Sequence, residues 1–424
     1  MKIAIKKYDN MIQANIIACL FLLYFCAIYG HPHIEIFFAW GGSIIVSRAI
    51  LLVLLAFTLV NFIVNIIKKK LFLNQYGFLL WYGLFIFYCG LSLLWTVNIQ
   101  ESIDLFNLLI ENFAILFCIV FYVNTEERFL KVMTMHIVSI CYASVRLIIF
   151  LPELRFFGRR SMILHIRDIV GDHYNILAIN LAVGLMLILF FYYKTKKVRV
   201  LVPAFLVFYA LLLAGSRAGV VVASLSILLF YVLLNGTKKM YKSLLILLVF
   251  ITFAVLYLNS KLAGAEIIRS LIVGFLGGSS DFSFNERAFF REIAATMISQ
   301  KPLIGNGLRS FTDFLADIMY RKRYTHAHNG YLDILASLGI VGFILYYSMY
   351  LRIFIAAVKN FASTHIYVVF SLVVCLAIFM YEFSESLFAI ARLSSITVTF
   401  YAYYALKVYD TKKNQVGMPN GRID

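Results

Sequence analysis

Charge is what this sequence has least of. Only 14% of its 424 residues are Asp, Glu, Lys or Arg, against 62% hydrophobic ones, and the mean hydropathy is +0.89. Soluble domains are about a quarter charged, so a water-soluble globule is excluded. Cysteine is sparse and oddly placed. All six (Cys19, Cys26, Cys89, Cys118, Cys141, Cys375) fall inside apolar runs, with no C-x-x-C among them. That pattern supports neither a disulfide framework nor a zinc site; it fits small buried hydrophobes. Internal repeats, low-complexity tracts and any compositional break toward a second soluble domain are missing as well. So are the short alternating segments of a membrane barrel.

What is there is a series of apolar runs long enough to cross a bilayer, which takes about 20 residues. Twelve spans are predicted: Ile12–Gly30, Ile44–Ile67, Tyr76–Leu94, Leu105–Val123, Val132–Leu151, Tyr174–Tyr192, Val200–Ala214, Ala218–Leu234, Leu244–Leu258, Ile334–Leu351, Tyr367–Tyr381 and Leu387–Leu406. Irregular backbone is costly in lipid, so helix is the default. The expected fold class is an all-α polytopic membrane protein, one integral membrane domain over residues 1–424. A long loop, residues 259–333, separates the ninth and tenth spans. The first run sits where a signal peptide would, but it is long and no small-residue cleavage site follows; a retained helix is expected.

Basic residues orient the chain. Lys2, Lys6 and Lys7, then Lys68 to Lys70, Lys194 to Arg199, Lys238 to Lys242 and Lys407 to Lys413 all fall on one side of a twelve-span chain. The positive-inside rule makes that side cytoplasmic, with both termini inside. The long loop lies opposite and carries its own periodicity. Phe290, Ile293 and Met297 share one helical face, as do Phe311, Phe314, Leu315 and Ile318, while Pro302, Gly305 and Gly307 form a turn between them. Two amphipathic helices at the outer mouth of the bundle are expected.

That outer side holds many cations, mostly arginine: Arg155, Arg159, Arg160 and Arg167, the turn residue Arg217, and Arg269, Arg287, Arg291, Arg309, Arg321 and Arg323. They do nothing for topology, and their forked donors suit phosphate and carboxylate oxygens. An anionic ligand explains the excess; nucleic acid is not a partner at that location. Arg217, alone, fits either a lipid-phosphate anchor or a ligand contact. Arg287 and Arg291, four apart, share a helix face and would repel unless an anion or Glu286 and Glu292 intervened. The loop ends on His326-Ala327-His328-Asn329-Gly330. A histidine there can move a proton near neutral pH. As metal ligands the pair would need a third partner, and no H-E-x-x-H or neighbouring carboxylate cluster supplies one. Glu382 and Glu385 should lie near the same end of the bundle, with an arginine as the expected partner.

These pieces resemble the O-antigen ligase and polysaccharide polymerase superfamily. The resemblance rests on Gly215-Ser216-Arg217-Ala218-Gly219, then Arg287, then Pro302-Leu303-Ile304-Gly305-Asn306-Gly307, and finally His328-Asn329 followed by Gly339 and Gly342. Asp172-His173-Tyr174-Asn175 also looks like the family's polar lead into the sixth span. Two departures stand out: Arg291 replaces a common aromatic, and Val221 stands where ligases often carry Leu. The resemblance implies a GT-C-like architecture in the bacterial inner membrane with a periplasmic active site. It implies a metal-independent, inverting glycosyltransferase that needs no cofactor. The donor would be a glycan on undecaprenyl diphosphate; the acceptor would be a sugar hydroxyl, on a lipid-linked glycan for a polymerase or on lipid A-core for a ligase. His328 would be the base, Arg217, Arg287 and Arg291 the diphosphate ligands, and His326 and Asn329 supporting residues. A twelve-helix lipid or polysaccharide transporter or flippase is the alternative, against which stand the lack of similar halves and the asymmetric long loop.

Overall fold

The structure, a computed structural model, describes residues 2–30, 35–37, 43–67, 76–150, 174–235, 282–319, 326–390 and 394–416. In chain order these form α1 (Lys2–Gly30), β1 (Glu35–Phe37), β2 (Ser43–Ile45), α2 (Val46–Ile67), α3 (Gly77–Ser92), α4 (Ile99–Tyr122), α5 (Glu126–Phe150), α6 (Tyr174–Thr195), α7 (Val202–Ala214) and α8 (Arg217–Asn235). Then follow α9 (Phe282–Gln300), α10 (Ser310–Met319), α11 (Gly330–Lys359), α12 (Ile366–Glu382), α13 (Leu387–Ile390) and α14 (Ser394–Val416).

Among the described residues six helical stretches are long and apolar enough to cross a membrane: Val46–Val64, Ile99–Tyr122, Glu126–Phe150, Tyr174–Thr195, Ala218–Asn235 and Gly330–Lys359. Four shorter apolar ones, Asn15–Tyr29, Gly77–Ser92, Val198–Ala214 and Ile366–Glu382, accompany them. Together they account for every expected span except the ninth and the twelfth. The ninth, Leu244–Leu258, lies outside the described residues. The twelfth is helical in its described residues, as a short α13 up to Ile390 and α14 from Ser394 to Val416, while residues 391–393 lie outside the described residues. Lys412 and Lys413 near the end of α14 are good helix formers that favour its dipole. The chain is an all-α polytopic membrane protein. Among the described residues the one exception is a small hairpin in the expected first outer loop, where Glu35 pairs with Ile45 and Phe37 with Ser43.

The contacts divide the chain into two units, Met1–Gln75 with Ala114–Ala214, and Tyr76–Phe113 with Gly215–Asp424. In the first, α1 packs on α5 and α2, and α5 on α6 and α7. Gly184 makes the α5–α6 approach possible, since a Cβ there would stand 2.8 Å from Ile140 Cγ2. Within this core Tyr29 and His136 form a hydrogen bond of 2.7 Å, the imidazole stacked against Phe25 and Tyr29. In the second unit α11 is the hub, packing on α3, α9, α10, α12, α13 and α14.

Candidate functional site

The polar loop folds as its periodicity demands. Phe290, Ile293, Ala294 and Met297 of α9 meet Phe311 and Leu315 of α10, together with Ala327 and Ala336. The two apolar faces thus close on each other and on α11, and Ile318 near the end of α10 stays exposed. Burying such side chains is worth about 1.5–3 kcal/mol each, enough to hold a polar segment in one place. Ala327 drops into this core. The histidines on either side of it remain part-exposed, each with a fifth of its side chain accessible (20%).

The hub helix is broken. Gly339 has φ +64° and ψ −168°, so the ladder of α11 is interrupted there. The Pro302–Gly307 turn takes over the freed groups. Asn306 N–H donates to Ala336 O (3.0 Å) and Gly307 N–H to Ser337 O (2.9 Å). In return Ile340 N–H donates to Pro302 O (2.9 Å) and Val341 N–H to Leu303 O (3.2 Å). Leu338 O accepts from the Tyr88 hydroxyl at 3.1 Å. Irregular backbone survives in a membrane protein only when its polar groups are satisfied this way. Gly305, at φ +72°, must be glycine for space as well, because a Cβ would stand 2.4 Å from the Ser337 carbonyl carbon.

His326 and His328 converge on a carboxylate that lies far off in sequence. Glu385, on the turn between α12 and α13, sets its Oε2 at 2.9 Å from His326 Nε2 and 3.3 Å from His328 Nδ1. Its Oε1 lies 3.7 Å from an Arg287 guanidinium nitrogen on α9, and only 3% of its side chain is exposed. Burial alone would raise its pKa; hydrogen bonds and charge from the two histidines outweigh that and hold it below the usual carboxylate range. An ionised carboxylate only accepts, so both histidines donate to it. A neutral His328 bonded in this way carries its proton on Nδ1, leaving the Nε2 lone pair available. The residue has φ +48°, a conformation that costs a non-glycine residue about 1–3 kcal/mol and collects at functional sites. Its ring stacks on Phe290 with centroids 5.9 Å apart.

Further acids stand close by. Asp333, on the first turn of α11, and Glu382, at the end of α12, are 3% and 0% exposed. Leu387 N–H donates to Glu382 Oε2 at 3.3 Å, and a Cβ on Gly330 would lie 1.5 Å from that oxygen. Glycine at the helix start lets a carboxylate sit against the positive end of α11.

The expected site residues are thus placed as follows. His326, His328 and Arg287 come together on Glu385. Arg291 lies one turn further along α9, exposed. Asn329 is the N-cap of α11, its side-chain oxygen accepting from Leu332 N–H at 3.1 Å. Arg217 opens α8 after Gly215 (φ +72°), and Ser216 Oγ accepts from Gly219 N–H at 3.3 Å; the Arg217 side chain lies outside the described residues. Glu385 was visible in the sequence as an acid at the end of an apolar run, but its histidine partners were not. It also supplies the third donor that His-x-His lacks in sequence. His326, His328 and Glu385 offer ligand atoms within 4.8 Å of one another. The Arg287 cation beside the same carboxylate opposes a metal ion there.

No curated protein matches the chain. Residues 202–347, from α7 into α11, match the family model described as O-antigen ligase. That segment contains the Arg217 turn, Arg287, the Pro302–Gly307 turn and both histidines, in the order the resemblance requires. Residues 202–347 are therefore similar to the O-antigen ligase domain, in line with the resemblance to the O-antigen ligase and polymerase superfamily.

Proposed function

We propose that this protein is a metal-independent glycosyltransferase of the bacterial inner membrane that moves a glycan from undecaprenyl diphosphate to a sugar hydroxyl at the periplasmic face. One observation carries the reading. Within the matched domain, a strained histidine holds one ring nitrogen on a buried carboxylate, keeps the other available, and stands beside an arginine. The acceptor oxygen attacks the anomeric carbon while its proton passes to His328 Nε2. The bond from that carbon to the phosphate oxygen breaks, and the diphosphate leaves with the electron pair. Attack opposite the leaving group inverts the anomeric configuration. General-base help of this kind is worth about 10²–10⁴-fold. Arg217 and Arg287, with Arg291 one turn away, bind the diphosphate as charge builds on it, a contribution of about 3 kcal/mol for a well-placed donor.

The His-Asn-Gly-Tyr-Leu-Asp wording at 328–333 favours a polymerase of lipid-linked units over a ligase to lipid A-core. The test is His328→Ala in cells and in purified form. Glycan output should vanish at normal protein level. Full output from that variant would favour a flippase or transporter. Growth of lipid-linked chains in vitro supports the polymerase; transfer to purified lipid A-core supports the ligase.

A further inference from the structure

The geometry points to Glu385 as the positioning residue of this site: it holds His328 in the one tautomer able to accept a proton and ties that residue to Arg287 and His326. The inference rests on the reading of His328 as the base. It adds a residue that lies beyond the stretch 202–347 matched by the family model.

Three observations support it. First, Glu385 Oε2 takes both histidines, at 2.9 and 3.3 Å, while Oε1 faces Arg287 at 3.7 Å. Each oxygen has its own task, and none of these partners is a neighbour in sequence. Second, the carboxylate is nearly inaccessible, at 3%, so it cannot itself meet a bulky lipid-linked substrate. It acts through the histidines, which are partly open. Third, an imidazole whose Nδ1–H is held by an acid must present Nε2 outward, and the imidazolium formed on proton transfer is stabilised by the same acid. The two nitrogens of His326 and His328 that reach Glu385 differ, Nε2 in one and Nδ1 in the other. That difference separates their roles. His328 keeps Nε2 for the acceptor; His326 spends its Nε2 on Glu385 and helps keep the carboxylate ionised.

Among the described residues the charged and titratable groups near Glu385 include Arg287 on α9, His326 and His328 on the loop, Asp333 on α11 and Glu382 on α12. Asp333 and Glu382 are buried, and Arg287 is the cation that faces Glu385.

The test uses the full-length protein in lipid nanodiscs and, as donor, lipid-linked repeat units purified from a strain lacking this gene. Glu385→Gln should lower kcat about 10²–10³-fold with KM nearly unchanged, because the wrong tautomer becomes accessible. The acidic limb of its pH–rate profile should move to lower pH, since the imidazolium loses a counter-charge. Glu385→Asp, which keeps the charge, should recover part of kcat. Wild-type kcat and an unmoved pH profile in Glu385→Gln, with His328→Ala inactive, would overturn the positioning role and leave the base intact. Activity in His328→Ala would instead overturn the base. Should Glu385→Gln fail to fold, nitrogen NMR of histidine-labelled wild-type protein decides. A proton on Nδ1 of His328 is expected; a neutral ring protonated on Nε2 would sink the proposal.

Discussion

Two histidines sit in two differently built regions of this protein. His136, in the core of the first unit, is wholly buried, stacked on aromatic rings and bonded to the Tyr29 phenol. His328, in the second unit, is partly open, strained, and bonded to a buried acid. In sequence the first is a polar residue inside an apolar run and the second ends a polar loop. The contrast shows that a histidine's task is read from its partner. A phenol fixes a ring in place without offering it a counter-charge. A carboxylate held ionised by several donors prepares the ring to accept a proton.

That contrast can be broken at several points. Exchanging each histidine for glutamine gives the sharpest test. His328→Gln should reduce turnover at least about 10³-fold, whereas His136→Gln should leave turnover per folded molecule within a few-fold and lower stability by about 1–3 kcal/mol. A catalytic loss in His136→Gln, measured on purified protein, would erase the distinction. Next come Arg217→Lys and Arg287→Lys, which keep charge but lose the planar fork. Turnover should fall about 10-fold or more if the contact to diphosphate is bidentate; wild-type turnover in Arg217→Lys would reduce that residue to a lipid anchor. Gly339→Ala should act on the fold instead. The left-handed φ alone costs about 1–3 kcal/mol, and the added methyl would stand 2.3 Å from Leu303 O. Membrane level should drop in a thermal-shift or expression assay, while the surviving fraction keeps its pH profile.

Acid exposure probes the carboxylate of the second region. The Glu385 carboxyl has a folded value below its ordinary 4.5, so its contribution to stability is present above about that pH and lost as pH falls through the folded value. Between pH 5 and 8 the carboxyl itself should stay ionised, so a shift of the unfolding midpoint there reports on its partners and not on its own protonation. The smallest effect expected is from chelation: EDTA should leave turnover unchanged, and its loss with recovery on zinc would recast His326, His328 and Glu385 as a metal site.

Much of this was legible in the sequence. Apolar runs of bilayer length located ten helical spans, because hydrocarbon leaves the backbone few alternatives. The spacing of Phe290, Ile293 and Met297 announced α9 and its buried face, and the Pro302–Gly307 turn stood where its glycines put it. The His-x-His pair was visible as an ionisable group at the end of a polar loop. What escaped was long-range. Glu385 lies 57 residues from His328, and nothing local in either segment announces the other. The α11 break was hidden because Gly339 sits in a continuous apolar stretch. The bonds that permit the break come from over thirty residues upstream.

The interrupted hub helix also says something about biogenesis. Residues 302–307 leave the ribosome before residues 330–345, so vectorial synthesis delivers the cradle ahead of its guest. A translocon that released the later segment alone would hand the bilayer a straight rod. The bent form needs the earlier turn to have arrived, because its groups bond the backbone on both sides of the break.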